Sequence, residues 1–519
     1  MLGLVLAVLL LVAVACDRHE ADAVEMLQAR MHQLSGSKAN STDPESVLCE
    51  KLRTETWPTG RVLCSGQIPT YGWDVYNQHC ADLVPRFILQ PSTTEDVQTA
   101  VRFASKYGLS LSFRGSGHTY NCNGFKYGSL NLDMRTMGST VVTQVRRDGV
   151  FALVKPGTTF QDMLSAISSN YSFTRGTCNT VGVMGYHLHG GWGATTSTWA
   201  NESIAEMTVV TADGTVHSLT EESRGEEARL FEAMRVAGSS FGIVTSLTIR
   251  LFDRTERPYW YIPVLNDFDH LLSILPDETD FGWIGLARWD VDFYPRTPIQ
   301  GTGWFLQVVL HDAEASTQMQ AEQWILENNV IEDTNYSWPT NSPTDAGRWF
   351  MGMYPFAASS LFTRFYPLPK IRKAAKVLHG FFEKHAESCR YNLGPLQGSE
   401  RLPLVTVECN TPETAGLLKD FVKQNRNLLH PNAPGSGYVN LPLDGSRTYR
   451  QAYYPQYDEL ASVKSMWDPS DLFYIENGIH PSSSSSYSVQ PALSKPLRLG
   501  RQRSYTGHRF GRKRSYTGR

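Results

Sequence analysis

His118 and Cys178 are the side chains in this sequence best placed to do covalent chemistry. His118 stands in Arg114-Gly115-Ser116-Gly117-His118-Thr119-Tyr120. Cys178 follows sixty residues later, in Gly176-Thr177-Cys178-Asn179-Thr180-Val181-Gly182-Val183-Met184-Gly185. An imidazole and a thiol are both nucleophiles that can bond to a ligand. The small residues around them let backbone approach a large flat or phosphorylated ligand, and successive N–H groups in such loops hold phosphate. Each stretch alone also has an ordinary reading. His118 would then be a hydrogen-bonded structural histidine, and Cys178 half of a disulfide with Cys122 or another cysteine.

Further segments extend the pattern. Pro85-Arg86-Phe87-Ile88-Leu89-Gln90-Pro91 leads into Thr94-Glu95-Asp96-Val97 and on to Ala104. Val209-Val210-Thr211-Ala212-Asp213-Gly214 and Gly238-Ser239-Ser240-Phe241-Gly242-Ile243-Val244-Thr245 follow, and Val463 to Phe473 lies near the end. In this order the segments resemble the berberine-bridge-enzyme-like family of FAD-linked oxidases, PCMH-type flavoproteins of the vanillyl-alcohol-oxidase superfamily. The resemblance covers residues 65–255 and 430–481. The stretch between agrees by position and strand-like pattern. It implies an α+β fold: a two-part FAD-binding domain with an inserted α+β substrate domain built on an antiparallel sheet.

The resemblance also implies roles. FAD would be attached bicovalently through His118 and Cys178. Arg114, Gly115, Ser116, Gly117 and Thr177 would border it from the attachment loops. Val181, Gly182, Gly185, Gly242 and Ile243 would do so from the later turns. Tyr120 corresponds to a tyrosine whose side chain reaches the active site. Val181 corresponds to a position beside the reactive face of the flavin, where a compact branched side chain goes with dioxygen as acceptor. An alcohol substrate must lose its hydroxyl proton as hydride leaves, so a base must lie within hydrogen-bond reach. In the carbohydrate-oxidising branch a tyrosine does this, and Tyr453 or Tyr454 stands where it is expected. An ordinary phenol titrates near pH 10 and would need activation. Glu408, on an expected strand, is the alternative base; its ordinary reading is a solvent-facing strand residue. No metal enters this reading.

The chain departs from the family pattern at four places. Tyr186 stands where a histidine is usual, and His189 where a glycine is usual. Glu476-Asn477-Gly478 precedes Ile479 in place of Asn-Gln, and Gln456 replaces an asparagine. These positions surround the expected flavin and substrate. The leading expectation is therefore a secreted oxidase that acts on a small alcohol or carbohydrate with dioxygen and releases hydrogen peroxide. Trp283, Trp289 and Trp304 are candidate stacking surfaces for sugar rings, with core packing as the alternative. Two other readings stand beside it: a covalent-flavin dehydrogenase using another acceptor, and a non-enzymatic flavoprotein or binding protein with a processed tail.

Bulk properties fit an ordinary folded protein. The 519 residues are 41% hydrophobic and 19% charged, with a net charge of −3, which excludes a disordered chain. The charge is uneven. Residues 482–519 hold nine Lys or Arg and no acid, leaving 39 basic against 51 acidic residues in the body. An acidic body argues against nucleic acid as a partner. Met1 to Cys16 is an apolar run of signal-peptide length, too short for a membrane span. The expected signal covers residues 1–21 with cleavage near 16–21; Ala13-Val14-Ala15-Cys16 also reads as a lipoprotein box. Beyond it lie seven cysteines. If Cys178 bonds flavin, six remain for three disulfides, with fifteen possible pairings. Asn40, Asn170, Asn201 and Asn335 each open an Asn-x-Ser/Thr sequon, which fits a glycosylated extracellular protein.

The elements that must position these residues follow from periodicity. Residues 22–64 read as a partly flexible leader. In the FAD-binding part, 65–255, strands are expected at 87–89, 111–113, 151–154 and 207–210. A helix is expected from Glu95 to Lys106, capped by Ser92 or Thr93. Between 256 and 430, the expected substrate domain, strands are read at 283–289, 303–310 and 404–408, and helices at 314–328, 368–386 and 414–428. Residues 431–481 return to the FAD-binding part. The tail, 482–519, repeats Arg-Ser-Tyr-Thr-Gly at 503–507 and 514–518 and cannot form a core. Gly511-Arg512-Lys513-Arg514 within it resembles a processing-and-amidation signal.

Overall fold

The computed structural model describes residues 45–55, 57, 60–64, 67–68, 80, 83–119, 122–176, 179–191, 199–254, 454, 456–475 and 478–482. Between 259 and 429 it describes the strands and helices named below, with 268–269, 272, 316, 319–320, 323, 327, 383–386, 388, 411 and 425. The expected signal, most of the leader and nearly all of the tail lie outside these residues.

The first sheet carries the His118 loop. Strand β1 (Arg61–Cys64) runs antiparallel to β2 (Phe87–Gln90), and both β2 and β3 (Leu111–Arg114) run parallel to the intervening β4 (Leu130–Asp133). Helix α1 (Glu45–Thr54) is tied to β1 by the Cys49–Cys64 disulfide. Helix α2 (Thr94–Lys106) makes the crossover from β2 to β3. Thr93 fixes its start: the Thr93 hydroxyl accepts from Asp96 N, while the buried Asp96 carboxylate accepts from the backbone of Ser92 and Thr93. Val97, Ala100, Val101 and Ala104 recur at helical spacing and are fully buried with Leu89, Leu130 and Leu132. Each fully buried valine or leucine contributes about 1.5–3 kcal/mol, so this face holds the helix on the sheet.

The second sheet is antiparallel throughout. It comprises β5 (Val141–Arg146), β6 (Gly149–Val154), β8 (Ile204–Val210), β9 (Val216–Thr220) and β10 (Ile243–Arg250), in the order β5-β6-β10-β8-β9. Helices α3 (Phe160–Ala166), α4 (Val183–Leu188), α5 (Gly225–Ala237) and α9 (Tyr457–Trp467) share one core with it through Phe160, Leu188, Phe231 and Leu460. A two-stranded ribbon pairs β7 (Tyr171–Ser172) with β11 (Phe252–Asp253).

The third sheet is also antiparallel. Strands β12 (Tyr259–Val264), β13 (Ala287–Tyr294), β14 (Gly303–Leu310), β15 (Ser360–Phe365), β16 (Cys389–Pro395) and β17 (Pro403–Cys409) take the order β12-β14-β13-β16-β17-β15. Helices α6 (Leu368–Phe382) and α7 (Pro412–Gln424) pack on it. Directly paired residues share a face, and successive residues alternate faces. Val407 and the Cys389–Cys409 disulfide are fully buried and define one face. Trp289 and Trp304 have the parity of the Val407 row. Trp283 and the side chains of Trp289 and Trp304 lie outside the described residues.

Element boundaries moved for local reasons. The strand expected at 283–289 is described from Ala287 to Tyr294. The helix expected at 414–428 begins at Pro412 and divides at Asn425, whose side-chain amide donates to Phe421 O at 2.9 Å, giving α7 and α8 (Arg426–Leu429). The described residues between 314 and 328 are helical.

The C-terminal segment locks onto the second sheet's turn through a buried charge. Lys464 on α9 is fully buried. Its ammonium donates to Ser240 O at 2.7 Å and Phe473 O at 3.3 Å, and pairs with Asp468 at 2.5 Å and Asp471 at 3.1 Å. Ile479 N donates to the Ser240 hydroxyl at 3.1 Å. Ser240 belongs to the short turn that precedes Gly242, so residues 464–479 hold that turn from two sides.

Candidate functional site

Loop one leaves β3 at Arg114. Arg114 is buried, its guanidinium lies 5.4 Å from the Phe125 ring centre, and its Nε donates to Gly115 O at 3.3 Å. It therefore braces the loop from inside. Gly117 has φ of +84°, in the left-handed region where a side chain is strained. The turn it makes presents His118, whose Nε2 lies 2.6 Å from Thr180 Oγ1.

Loop two is held by backbone pairing with the start of α3. Phe160 N donates to Val181 O at 3.0 Å, Gln161 N to Asn179 O at 2.9 Å, and Val183 N to Thr158 O at 2.9 Å. Gly182 sits against loop one, where an added Cβ would stand 3.0 Å from Ser116 Oγ and 3.4 Å from Ser116 N. A side chain here would press on Ser116, which would have to give by a few tenths of an ångström. Val181 is half-buried and packs on the core of the second sheet.

The two loops therefore meet. Thr180, two residues beyond Cys178, touches the His118 ring. Cys178, Thr177 and Tyr120 lie outside the described residues. Among the described residues the other six cysteines beyond the expected signal form three disulfides, Cys49–Cys64, Cys80–Cys122 and Cys389–Cys409. Cys122 is thus taken by Cys80, which removes it as a partner for Cys178.

Among the described residues there is open space beside the loops: a Cβ at Gly115 would meet only Pro156 O, at 3.5 Å, and one at exposed Gly185 would meet nothing within 4 Å. Loop one offers backbone N–H groups on small residues, and loop two a compact apolar side chain at Val181. Such a cradle suits a group with a phosphorylated part and a flat part, so these residues fit FAD.

Gly242 and Ile243 stand differently. Gly242 is pressed onto β8, where a Cβ would lie 2.6 Å from Val209 Cγ2 and 2.8 Å from Val210 O. Ile243 is buried in the core of the first sheet. They shape the turn at its base. That turn reaches loop two through a contact not anticipated from sequence: His189 Nε2 lies 2.7 Å from Ser239 Oγ. A histidine in a glycine's usual place was the signal. Thr180 was the other omission; a hydroxyl two residues from the cysteine could have marked it.

Two histidines near loop two are held neutral. Burial lowers His187 from 6.5 to about 4, and His189 likewise to about 4. Val183 O can only accept, so the His187 Nδ1 at 2.8 Å carries the proton. Tyr186, the other departure, packs its ring edge-on to Phe160 and directly over Gly191, where a Cβ would lie 2.2 Å from the ring.

The candidate bases are separated. Tyr454 is 2% exposed, within the core that also holds Leu460 and Val463. Tyr453 lies outside the described residues. Glu408 pairs in register with Arg390 and Leu361, on the face opposite the Val407 row. Rows of the same parity carry Tyr261 with Gln307 and Asp290, and Phe305 with Asp292, Asn392, Thr406 and Thr363.

Comparison with known proteins agrees with this geometry. Residues 85–220 match the family model described as FAD binding domain, and residues 437–480 the one described as berberine and berberine like. The carbohydrate oxidase of Microdochium nivale is 34% identical over 175 residues, 33% of this chain and 34% of that protein. The glucooligosaccharide oxidase of Sarocladium strictum is 32% identical over 193 residues, 36% of this chain and 38% of that protein. The matched segment thus spans about a third of the length of these relatives. In three dimensions the likeness is wider. The Microdochium nivale carbohydrate oxidase structure aligns over 85% of this chain and 100% of its own with a TM-score of 0.67 at 17% identity. The xylooligosaccharide oxidase of Myceliophthora thermophila C1 aligns over the same shares with a TM-score of 0.66 at 19% identity. These structural likenesses establish the α+β fold that the chain shares with those structures.

Proposed function

We propose that this chain, which carries the FAD-binding and berberine-like domains of the berberine-bridge-enzyme-like FAD-linked oxidases, oxidises an alcohol carbon of a carbohydrate-like small molecule. Dioxygen is the acceptor and hydrogen peroxide the co-product. The observation that carries the reading is the meeting of the two loops, with Thr180 against the His118 ring. That contact brings Thr180, two residues from Cys178 in sequence, to the His118 loop, which supports a ligand shared by the two nucleophiles.

FAD, when bound, would supply the redox chemistry, with hydride from the substrate carbon taken up and two electrons returned to dioxygen. His118 and Cys178 tether it, and Gly115, Ser116 and Gly117 offer N–H groups to its phosphates. Tyr120 orients the substrate. Val181 keeps a compact side chain on the route for dioxygen. The substrate hydroxyl gives its proton to Tyr453 or Glu408. The burial of Tyr454 supports assigning the proton-accepting phenol to its neighbour.

The division into a FAD-binding part, 65–255 with 431–481, and a substrate part, 256–430, is supported by the separation of the sheets. Two sheets lie within 61–250 and the third within 259–409. Secretion is supported by three disulfides, which persist in oxidising compartments. Among the described residues no helix is long and apolar enough to cross a membrane.

The test is oxygen uptake with peroxide detection across reducing oligosaccharides and simple alcohols. Uptake stoichiometric with peroxide supports the proposal. Turnover only with an artificial electron acceptor would replace it by a dehydrogenase.

A further inference from the structure

Two of the four sequons lie wholly among the described residues, and the fold treats them differently: Asn170 is exposed and Asn201 half-buried. Asn170 is exposed, as are Ser168 and Ser169 before it. Its backbone is fixed: Asn170 N donates to Ser168 Oγ at 3.4 Å, Tyr171 N donates to Ser168 O at 3.0 Å, and Asn170 O accepts from Arg254 N at 2.7 Å. Its side-chain amide makes no hydrogen bond among the described residues. The turn is hydrogen-bonded on both sides of Asn170, which is itself exposed to solvent.

Asn201 is only half-buried, but its Oδ1 is buried without a hydrogen-bond partner among the described residues. Its Nδ2 lies 3.8 Å from where a Gly190 Cβ would stand, so the amide packs over the Gly190–Gly191 turn that follows α4. Ala200 N donates to Gly191 O at 2.6 Å and Arg235 Nε to Asn201 O at 2.9 Å, which fixes this packing. The sequon hydroxyl, Ser203, is 3% exposed and donates to Ala200 O at 2.6 Å. A sugar on Asn201 Nδ2 would have to stand against the Gly190–Gly191 turn at the end of α4.

We propose that Asn170 is an N-glycosylation site of this protein and that Asn201, despite its sequon, is not. The reaction joins Asn170 Nδ2 to C1 of an oligosaccharide carried on a lipid diphosphate. The amide loses one proton, the C1–O bond to the diphosphate breaks, and the lipid diphosphate leaves. The glycan stands on the α3–β7 turn. The inference rests on the secretory reading above and is independent of the flavin chemistry.

The experiment expresses the whole chain in a eukaryotic secretory host. One version keeps residues 1–21; a second has a supplied secretion signal in their place. If only the second is secreted, the secretory reading fails while the sequon assignment is still tested. Secreted protein is treated with peptide N-glycosidase in heavy-oxygen water and mapped by mass spectrometry. The expected result is a labelled aspartate at 170 and unmodified Asn201. Asn170→Gln and Ser172→Ala should each lose one glycan step in gel mobility, and Asn201→Gln none. A glycan on Asn201, or an unmodified Asn170 in secreted protein, overturns the assignment. Should Asn170→Gln fail to fold, Ser172→Ala and the peptide map of the parent chain still decide.

Discussion

Removing the Lys464 ammonium should be among the most damaging single changes in this protein. In Lys464→Met the chain length is nearly kept and only the charge and its donors are lost. Four acceptors lose that donor: Ser240 O, Phe473 O, Asp468 and Asp471. Breaking a buried ion pair from one side costs about 3–5 kcal/mol, because the other charge stays buried without its partner. Asp468 keeps Leu472 N at 2.8 Å, Phe473 N at 2.9 Å and Ser470 Oγ at 3.3 Å, and Asp471 keeps His480 Nδ1 at 2.7 Å. These remaining bonds place the cost near the lower end, about 3 kcal/mol. With a urea m-value of about 3 kcal/mol per M, the unfolding midpoint should fall by about 1 M. The assay is tryptophan fluorescence against urea. Lys464→Met with Asp468→Asn, which removes both charges, should recover at least half of the loss. A midpoint shift below about 0.3 M in the single variant, or a double variant worse than the sum of the singles, would refute the reasoning. The loss should also reach the flavin site, since Lys464 grips Ser240 and the adjacent Ser239 contacts His189.

Acid should destabilise the fold through His187. Its folded-state pKa of about 4 lies below the ordinary 6.5, so the unfolded chain binds the extra proton. Stability is then lost as pH falls from about 6.5 to about 4, by about 3 kcal/mol in all, and His187→Gln should flatten that slope in urea melts at stepped pH. Gly182→Ala should push Ser116 and the His118 loop aside and lower the fraction of protein holding flavin, read from the 450 nm to 280 nm absorbance ratio; an unchanged ratio contradicts the close approach. Val181→Leu should slow reoxidation of the reduced enzyme in air while leaving its reduction by substrate nearly unchanged in stopped flow. Tyr453→Phe or Glu408→Gln, whichever removes the base, should slow flavin reduction by about a hundredfold to ten-thousandfold. Tyr454→Phe should instead act on stability, seen as a lower melting temperature.

Much of the flavin-binding half was legible because its signals are local. The capping box at Thr93 and Asp96, the helical spacing of Val97 to Ala104 and the apolar runs at β2, β3, β6 and β8 each follow from neighbours in sequence. The glycines of the two loops were legible for the same reason, since Gly117 needs a positive φ and Gly182 needs close approach. Contacts between distant segments were not. Nothing within a few residues of Lys464 says that it will reach Ser240, 224 residues away. His189 could be recognised as unusual, yet its partner Ser239 comes from another turn. Disulfide pairing was open among fifteen possibilities because loop closure depends on the fold, not on spacing. In the third sheet the alternation of Val407 with Thr406 and Glu408 was visible, but which face is buried required the register.

The central claim is that His118 and Cys178 both bond to one FAD. It is tested most directly by acid-precipitating the purified protein and its His118→Ala, Cys178→Ala and double variants, then measuring flavin absorbance in pellet and supernatant. The account predicts that wild type and both single variants keep yellow colour in the pellet, and that the double variant releases all of it. Flavin released into the supernatant by either single variant, or by the wild-type protein, would contradict attachment at two points.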